Sequence, residues 1–181
     1  EAVFVDDGSR DTTLAVLSAL AARDPRVRVV ALSRNFGKEI ALAAGLDHAR
    51  GDAVVPIDAD LQHPPELVRD LVAKWREGND VVIALRRDRA TDSAPRRLAS
   101  DLFHRLFARV SVVPVPRGAG DFRLMSRAVV DALRAMPERT RYMKGMYAWV
   151  GFRTATVDYD VEERAAGDSR FGLLKLWRPA L

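Results

Sequence analysis

The stretch Val55-Pro56-Ile57-Asp58-Ala59-Asp60-Leu61-Gln62-His63-Pro64-Pro65-Glu66 decides the fold, because an apolar strand leads directly into two carboxylates and then into a helix that starts at proline. Side chains two residues apart on an extended segment point to the same side, so Asp58 and Asp60 converge, and Gln62 shares their parity. Such oxygen ligands suit a hard cation at the carboxyl end of the strand. An isolated Asp-x-Asp is more often an acidic loop before a helix, so the interpretation depends on the rest of the chain.

A second strand that ends in carboxylates lies at the N-terminus. The apolar run Ala2-Val3-Phe4-Val5 leads into Asp6 and Asp7, and Gly8 permits a sharp turn before the next helix. The two aspartates could serve only the turn and the helix cap. Open α/β sheets, however, bind ligands at the carboxyl ends of their strands, so both acidic clusters are predicted to face one crevice.

Apolar runs and helical patterns alternate along the first half of the chain, with Pro25, Gly51 and Gly78 between them. The pattern predicts strands at 2–5, 27–32, 53–57 and 80–85, and helices at 12–22, 38–50 and 65–77. Beyond Arg86 it predicts a basic helix, a turn-rich stretch, a short strand near 122–124, helices at 126–136 and 142–149, and a strand at 152–159. This alternation predicts an α/β fold with a mostly parallel sheet and helices on both faces.

Length and composition fit one domain. The chain has 181 residues, of which 48% are hydrophobic, and this is enough for one substantial core. It has no cysteine, which excludes a disulfide framework and a thiol nucleophile and fits a cytosolic location. No apolar run approaches the ~18 residues of a membrane-spanning helix and no signal peptide is visible, so a soluble or peripheral chain is predicted.

Positive charge is concentrated between residues 86 and 117. The net charge of the chain is +4, whereas this segment alone has eight arginines and three aspartates. Apolar side chains recur in it with helical spacing: Leu98, Leu102, Phe103, Leu106, Phe107 and Val110. This pattern predicts a basic amphipathic helix that lies either on an anionic membrane or against the core. Nucleic acid is a poorer partner, because no recognisable nucleic-acid motif accompanies the arginines.

Five motifs follow one another along the chain. They are Val5-Asp6-Asp7-Gly8-Ser9-Arg10-Asp11-Thr12, Ser33-Arg34-Asn35-Phe36-Gly37-Lys38-Glu39, Asp58-Ala59-Asp60-Leu61-Gln62-His63-Pro64-Pro65-Glu66, Gly120-Asp121-Phe122-Arg123-Leu124-Met125-Ser126-Arg127 and Ala148-Trp149-Val150-Gly151-Phe152-Arg153. Their order resembles the family-two inverting glycosyltransferases, and most nearly the polyprenyl-phosphate sugar transferases such as dolichyl-phosphate mannose synthase and its undecaprenyl-phosphate relatives. The resemblance covers nearly the whole chain. It implies a GT-A nucleotide-sugar-binding fold, with 1–85 as the donor and metal half and 86–181 as the acceptor half of a single domain.

The chain departs from the family pattern in three places. It starts at Glu1 without the family's first strand, which would normally sit inside the sheet, and it stops at Leu181, where many relatives continue into membrane-spanning helices. A chain truncated at both ends is therefore expected. In the Asp-x-Asp motif His63 stands where bacterial relatives often have aspartate. A surface loop histidine is the favoured interpretation, and a tuning residue is the alternative.

The resemblance implies roles on the donor side. Asp60, together with Asp58 and Gln62, would hold Mg²⁺ or Mn²⁺ as a Lewis acid for the diphosphate leaving group. Arg34 and Lys38 would lie near the nucleotide, although a solvated residue in the first helical turn is the favoured interpretation of Lys38. The predicted donor-binding residues are Asp6, Asp7, Asp58, Arg164, Ser169 and Arg170, of which the last three resemble a mobile loop.

On the acceptor side the resemblance implies that Arg86, Arg97 and Arg123 bind the phosphate, a role for which a guanidinium is suited by its bidentate contacts. Each could instead be a surface charge. Asp121 resembles the family's catalytic carboxylate. A phosphate monoester, whose second pKa is about 6, needs little deprotonation, so Asp121 is interpreted as a base, as an orienting group or as a turn residue.

The predicted reaction is inverting transfer of a hexose from a nucleotide sugar to a polyprenyl phosphate, with UDP-glucose as the favoured donor and GDP-mannose as the alternative. Two other hypotheses stay open: a non-catalytic nucleotide-sugar-binding remnant and a metal-dependent phosphohydrolase. The protein is predicted to work at the cytoplasmic membrane face, where the segments 96–113 and 171–178 would contact lipid headgroups. A homo-oligomer is left open.

Overall fold

The computed structural model describes residues 1–60, 62–86, 119–138 and 142–159 of the chain, with only the backbone of Arg86. The elements are β1 (Ala2–Asp6), α1 (Thr13–Arg23), β2 (Val27–Ala31), α2 (Lys38–His48), β3 (Ala53–Val54), α3 (Leu67–Arg76), β4 (Val81–Arg86), β5 (Ala119–Ser126), α4 (Arg127–Ala135), α5 (Met143–Trp149) and β6 (Thr154–Tyr159). The predicted alternation of strands and helices is confirmed. Within the described ranges, none of the helices has the length and hydropathy of a membrane span.

The strand that precedes the Asp-x-Asp motif is shorter than predicted. Only Ala53 and Val54 pair with a neighbouring strand, where they lie opposite Ser126 and Met125. Proline has no backbone N–H to donate, so Pro56 limits continuation of the ladder towards the carboxylates.

The strands form two sheets. In the first, β1 and β2 are parallel, with Asp6 opposite Ala31. The second has the order β3-β5-β4-β6, in which β4 and β6 are parallel and β5 runs antiparallel to both its neighbours. The α/β class is confirmed, but the second sheet is mixed where a mostly parallel one was predicted. Hydrophobic periodicity identifies a strand without giving its direction, because direction depends on the connection that precedes the strand.

Helices cover both faces of the second sheet, as predicted. On β4, Val81 and Ile83 join one buried cluster with α2, α4 and α5, while Val82 and Ala84 join another with α3 and Phe122. This separation follows from the two-residue period of a strand. A strand buried on both faces reads as a continuous apolar run, which explains why β4 was readily predicted.

Arg127 connects the end of β5 to the loop before β3. Its backbone N–H donates to Asp52 O at 2.7 Å. Its guanidinium donates to Ala49 O at 3.1 Å and to Gly51 O through Nε at 3.0 Å. These bonds fix the start of β3 against β5. Since the two strands are antiparallel, the carboxyl end of β3 lies towards the N-terminal end of β5, where Asp121 is located.

Candidate donor and metal site

The loops that follow β1 and β2 are joined by Asp7. Its Oδ1 accepts a hydrogen bond from Phe36 N at 2.7 Å, and its Oδ2 accepts one from Gly37 N at 2.9 Å. Gly37 precedes α2 with φ +95°, a conformation that L residues rarely adopt. Asp7 therefore fixes the point at which α2 begins. Its predicted contact with the donor stays a prediction.

Gly8 allows these two loops to pack closely. It has φ +69°, and a Cβ at this position would lie 2.5 Å from Arg34 C and 2.6 Å from Asn35 N. A side chain at this position would clash with those backbone atoms, so the loop that contains Arg34 and Asn35 would have to move. The sequence predicted a turn here, but only the structure shows that the turn also carries a close approach of two backbone segments.

Replacing Gly8 with alanine is expected to displace residues 34–35 and to lower both stability and donor affinity. The backbone conformation alone costs about 1–2 kcal/mol for an L side chain, and the clash adds to it. Thermal unfolding and titration with a nucleoside diphosphate measure the two effects. Gly78→Ala is the control, because Gly78 has φ +91° but a Cβ there would meet only Arg153 Nη1, at 3.9 Å. Equal losses of stability in the two variants would contradict the steric argument.

Asp6 ends β1 and is only 4% exposed. Its Oδ2 accepts a hydrogen bond from Ser9 N at 3.3 Å, while its Oδ1 is buried and has no hydrogen-bond partner in the described part of the chain. Buried carboxylate oxygens normally have partners, so this oxygen is available to a ligand group that donates a hydrogen bond. Its predicted role in donor binding remains a prediction.

Lys38 brings two of the predicted motifs together. Its Nζ lies 2.8 Å from Asp58 Oδ2 and 2.9 Å from Asp121 Oδ2. Lys38 lies in the first turn of α2 with its side chain 50% exposed, as the favoured interpretation has it, and it also pairs with two carboxylates. Burial disfavours the charged ammonium, but its hydrogen bonds and Coulomb attraction to the two carboxylates outweigh burial, and the pKa of Lys38 is raised above its ordinary value.

The Asp-x-Asp motif lies in the loop after β3, with Ala59 and Asp60 in a turn, and the predicted convergence of its two carboxylates stays a prediction. Asp58 and Asp60 are half-buried, whereas Ile57 and Ala59, which precede them, are exposed. Exposure therefore alternates along these four residues. Asp60 Oδ1 accepts a hydrogen bond from the backbone N–H of Gln62 at 3.1 Å.

These carboxylates fit a divalent cation that binds together with a diphosphate. Within the described residues, no group of three or more His, Cys, Asp or Glu side chains could hold a metal by itself. Mg²⁺, however, is usually held by one or two carboxylates together with substrate phosphates and water. The two aspartates supply hard oxygen ligands of this kind.

His63 lies in an aromatic cluster. Its ring centroid is 4.7 Å from that of Phe122 and 6.2 Å from that of Tyr159, and its Nδ1 is buried without a hydrogen-bond partner in the described ranges. The favoured interpretation of His63 as a surface loop histidine is therefore wrong. Burial lowers the pKa of His63, the charges of Asp58, Asp60 and Asp121 oppose that shift, and Lys38 adds to it.

The lowered pKa makes His63 a source of pH-dependent stability. A ring that is protonated less readily when folded stabilises the protein above its unfolded pKa of ~6.5, and this stabilisation is lost as the pH falls through the folded pKa. Urea unfolding of His63→Gln is therefore expected to depend less on pH between about 7.5 and about 5.5 than that of the unmodified protein. His48→Gln, at an exposed position on α2, is the control. Identical pH dependence in all three proteins would contradict this expectation.

Arg123 lies beneath the site, not at its surface. It is 4% exposed, its guanidinium carbon is 4.0 Å from the ring centroid of Tyr147, and its Nη2 donates to Gly120 O at 2.5 Å. Its Nε and the hydroxyl of Tyr147 are buried without partners in the described part. Burial lowers the pKa of Arg123 and raises that of Tyr147. The predicted phosphate contact of Arg123 stays a prediction.

The remaining predicted site residues are placed in part or not at all. Arg86 ends β4. Because Leu85 lies opposite Ala119 on β5, Arg86 and Asp121 are at the same end of these paired strands. Outside the described residues lie Arg97, Arg164, Ser169, Arg170 and the segments 96–113 and 171–178.

Glu39 forms a contact that the sequence did not predict. Its Oε2 accepts a hydrogen bond from Met143 N at 2.8 Å, next to the start of α5. This bond links helices that are more than a hundred residues apart, so local sequence carried no signal for it.

Comparison with known proteins gives consistent similarities. The family model described as "Glycosyl transferase family 2" matches residues 1–134. An uncharacterized glycosyltransferase, sll0501, of Synechocystis sp. is 49% identical over 181 residues, which is 100% of this chain and 57% of the relative. A prophage bactoprenol glucosyl transferase homolog of Escherichia coli is also 49% identical over 181 residues, or 59% of its own length. The chain thus spans less than two thirds of these relatives.

Among solved structures, glucosyl-3-phosphoglycerate synthase from Mycobacterium tuberculosis, in complex with Mn²⁺, UDP-glucose and phosphoglyceric acid, is 25% identical with a TM-score of 0.58. The match covers 96% of this chain and 62% of that one.

Proposed function

Since this chain belongs to glycosyl transferase family 2 and has the GT-A fold, we propose that it transfers a hexose from a nucleotide sugar to a polyprenyl phosphate. The observation that carries the proposal is the meeting of Asp58 and Asp121 on Lys38, because it joins the predicted metal motif to the predicted catalytic carboxylate. The relatives named bactoprenol glucosyl transferase, each 49% identical, support the lipid acceptor.

The donor lies at the carboxyl ends of β1 and β3 in this proposal. The Oδ1 of Asp6, which is buried and has no partner among the described residues, accepts a hydrogen bond from the base or ribose, and the loop held by Asp7 lies beside it. UDP-glucose is the proposed sugar donor, supported by its presence in the Mycobacterium structure and by the names of the glucosyl transferases. Residues 1–85 supply this half of the site, and Arg164, Ser169 and Arg170 close over it.

Asp60 and Asp58, with Gln62, hold Mg²⁺ or Mn²⁺ in the proposed site. When bound, such an ion neutralises charge that develops on the diphosphate leaving group. Mn²⁺ in the Mycobacterium structure supports a divalent ion in this fold.

The acceptor phosphate enters from the edge of the sheet where β4 ends and β5 begins. Arg86 and Arg97 bind it, and the buried Arg123 adds positive charge from beneath. An oxygen of the phosphate attacks the anomeric carbon in line with the leaving diphosphate, so the configuration at that carbon inverts. Asp121 orients the acceptor, which at neutral pH is already largely dianionic. A lipid acceptor places the reaction at a membrane surface. The cytoplasmic face is the proposed side, with segments 96–113 and 171–178 as the proposed contacts.

Assay of the full-length protein tests this proposal. Undecaprenyl phosphate in detergent or vesicles is offered with UDP-glucose, GDP-mannose and other nucleotide sugars, and both glycolipid and nucleoside diphosphate are measured. Product from UDP-glucose is expected. Donor binding without product from any donor would support the non-catalytic remnant, and a trapped phospho-aspartate would support the phosphohydrolase.

A further inference from the structure

We propose that Lys38 is a positioning residue that holds Asp58 and Asp121 together and makes cation binding depend on the nucleotide diphosphate. This inference rests on the proposed function and adds a residue to it. Lys38 is the first residue of α2, Asp58 follows β3 and Asp121 belongs to β5, so one ammonium joins three separate elements of the fold.

The position of Lys38 is not explained by the stability of α2. A helix N-terminus carries partial positive charge, and a lysine in the first turn is unfavourable there. The start of α2 is fixed instead by the φ of Gly37 and by the two backbone hydrogen bonds to Asp7. An ammonium held at this position despite the helix dipole gains its favourable interactions from Asp58 and Asp121.

The burial of the two carboxylates differs. The Asp121 side chain is 11% exposed, and its Oδ1 is buried without a hydrogen-bond partner in the described residues. Lys38 therefore supplies the charge-assisted hydrogen bond that holds Asp121. Without it, Asp121 would keep the Coulomb attraction of the buried Arg123 but would lose the ammonium that its Oδ2 contacts, and the carboxylate would rotate or shift.

The Asp58 side chain is more open, at 37% exposure, and Lys38 Nζ contacts its Oδ2, so the ammonium lies on a carboxylate of the proposed metal site. An ammonium and a divalent cation on the same carboxylate repel each other. Lys38 therefore weakens metal binding to the free protein. A nucleotide diphosphate brings negative charge that offsets this repulsion, so the cation binds together with the donor and not before it.

The test compares Lys38→Met with Lys74→Met. Lys74, in the last turn of α3, pairs with Glu77 at 3.0 Å, so the control removes the same charge from outside the group formed by Asp58, Lys38 and Asp121. Free Mn²⁺ is measured by electron paramagnetic resonance, with and without UDP, in the full-length protein. Lys38→Met is expected to bind Mn²⁺ alone about three- to tenfold more tightly and to lose most of the enhancement by UDP, whereas Lys74→Met should behave as the parent.

Turnover provides the second measurement. Lys38→Met is expected to lower kcat by about ten- to a hundredfold, with a smaller change in the KM for the donor, because Asp121 is no longer held. Lys38→Arg keeps the charge. It should retain the Mn²⁺ affinity of the parent and recover part of kcat, which a purely structural role would not produce.

The outcomes separate this inference from the proposed function. The Mn²⁺ measurement requires no sugar transfer, so a protein that binds the ion as expected but forms no glycolipid would refute the function alone. Unchanged Mn²⁺ affinity in Lys38→Met, or no Mn²⁺ binding by either protein, overturns the inference that Lys38 weakens cation binding at Asp58. Parental kcat in that variant overturns the positioning role. If Lys38→Met fails to fold, Lys38→Gln and Lys38→Arg decide by the same two measurements.

Discussion

Asp60→Asn is expected to abolish divalent-metal-dependent sugar transfer while leaving the fold intact. The amide keeps the size of the side chain but loses the charge that a hard cation requires. Metal ions contribute several kcal/mol of charge stabilisation to such reactions, so the loss in kcat should reach roughly a thousandfold. Asp60 lies in a loop outside both hydrophobic clusters, and the thermal unfolding temperature should change little.

Release of nucleoside diphosphate as a function of Mn²⁺ and Mg²⁺ concentration measures this effect. Asp70→Asn, an exposed and isosteric change on α3, is the control and should turn over normally. Asp58→Asn should lose less than Asp60→Asn, because Asp58 already shares its charge with Lys38. Near-normal turnover of Asp60→Asn would remove the metal from the proposed mechanism.

Asp121→Asn is expected to reduce kcat by about a hundredfold to ten-thousandfold, the range typical of a lost acid, base or orienting carboxylate. An amide cannot form the ion pair that Asp121 makes with Lys38 at 2.9 Å. The loss should fall mainly on kcat, since the proposed donor contacts come from other residues. Single-turnover rates at saturating donor and acceptor measure it.

The pH profile of the same variant separates the two roles of Asp121. If Asp121 orients the acceptor, the variant should be slower at every pH at which the acceptor phosphate is dianionic, with a profile of unchanged shape. If Asp121 is a base, the ionisation that governs the ascending limb should disappear in the variant. Activity close to that of the parent would leave Asp121 with only a structural role.

Much of the fold could be predicted, because strands and helices produce patterns among residues that are close together in the sequence. The alternation of apolar and polar residues predicted the strands and helices, and the apolar run before Asp58 predicted that the two aspartates follow a strand. The direction in which β5 runs could not be predicted, because the sequence of residues 87–118, which precede it, does not indicate whether the next strand is parallel or antiparallel. The contacts of Lys38 and His63 could not be predicted for a related reason: their partners lie far away in the sequence, and a charged or loop residue is more often exposed than paired.

The strand order has a consequence for how the protein folds. β5 is made after β3 and β4 but lies between them, and neither pairs with the other, so the second sheet forms only when a late segment inserts into its centre. Such non-local pairing requires closure of a long loop before its contacts form, and it is intrinsically slow. During synthesis the Asp-x-Asp motif emerges well before Asp121, and for that interval the nascent chain holds two unpaired apolar strands. Chaperone binding and aggregation of this protein should therefore depend on how quickly the segment 119–126 is synthesised.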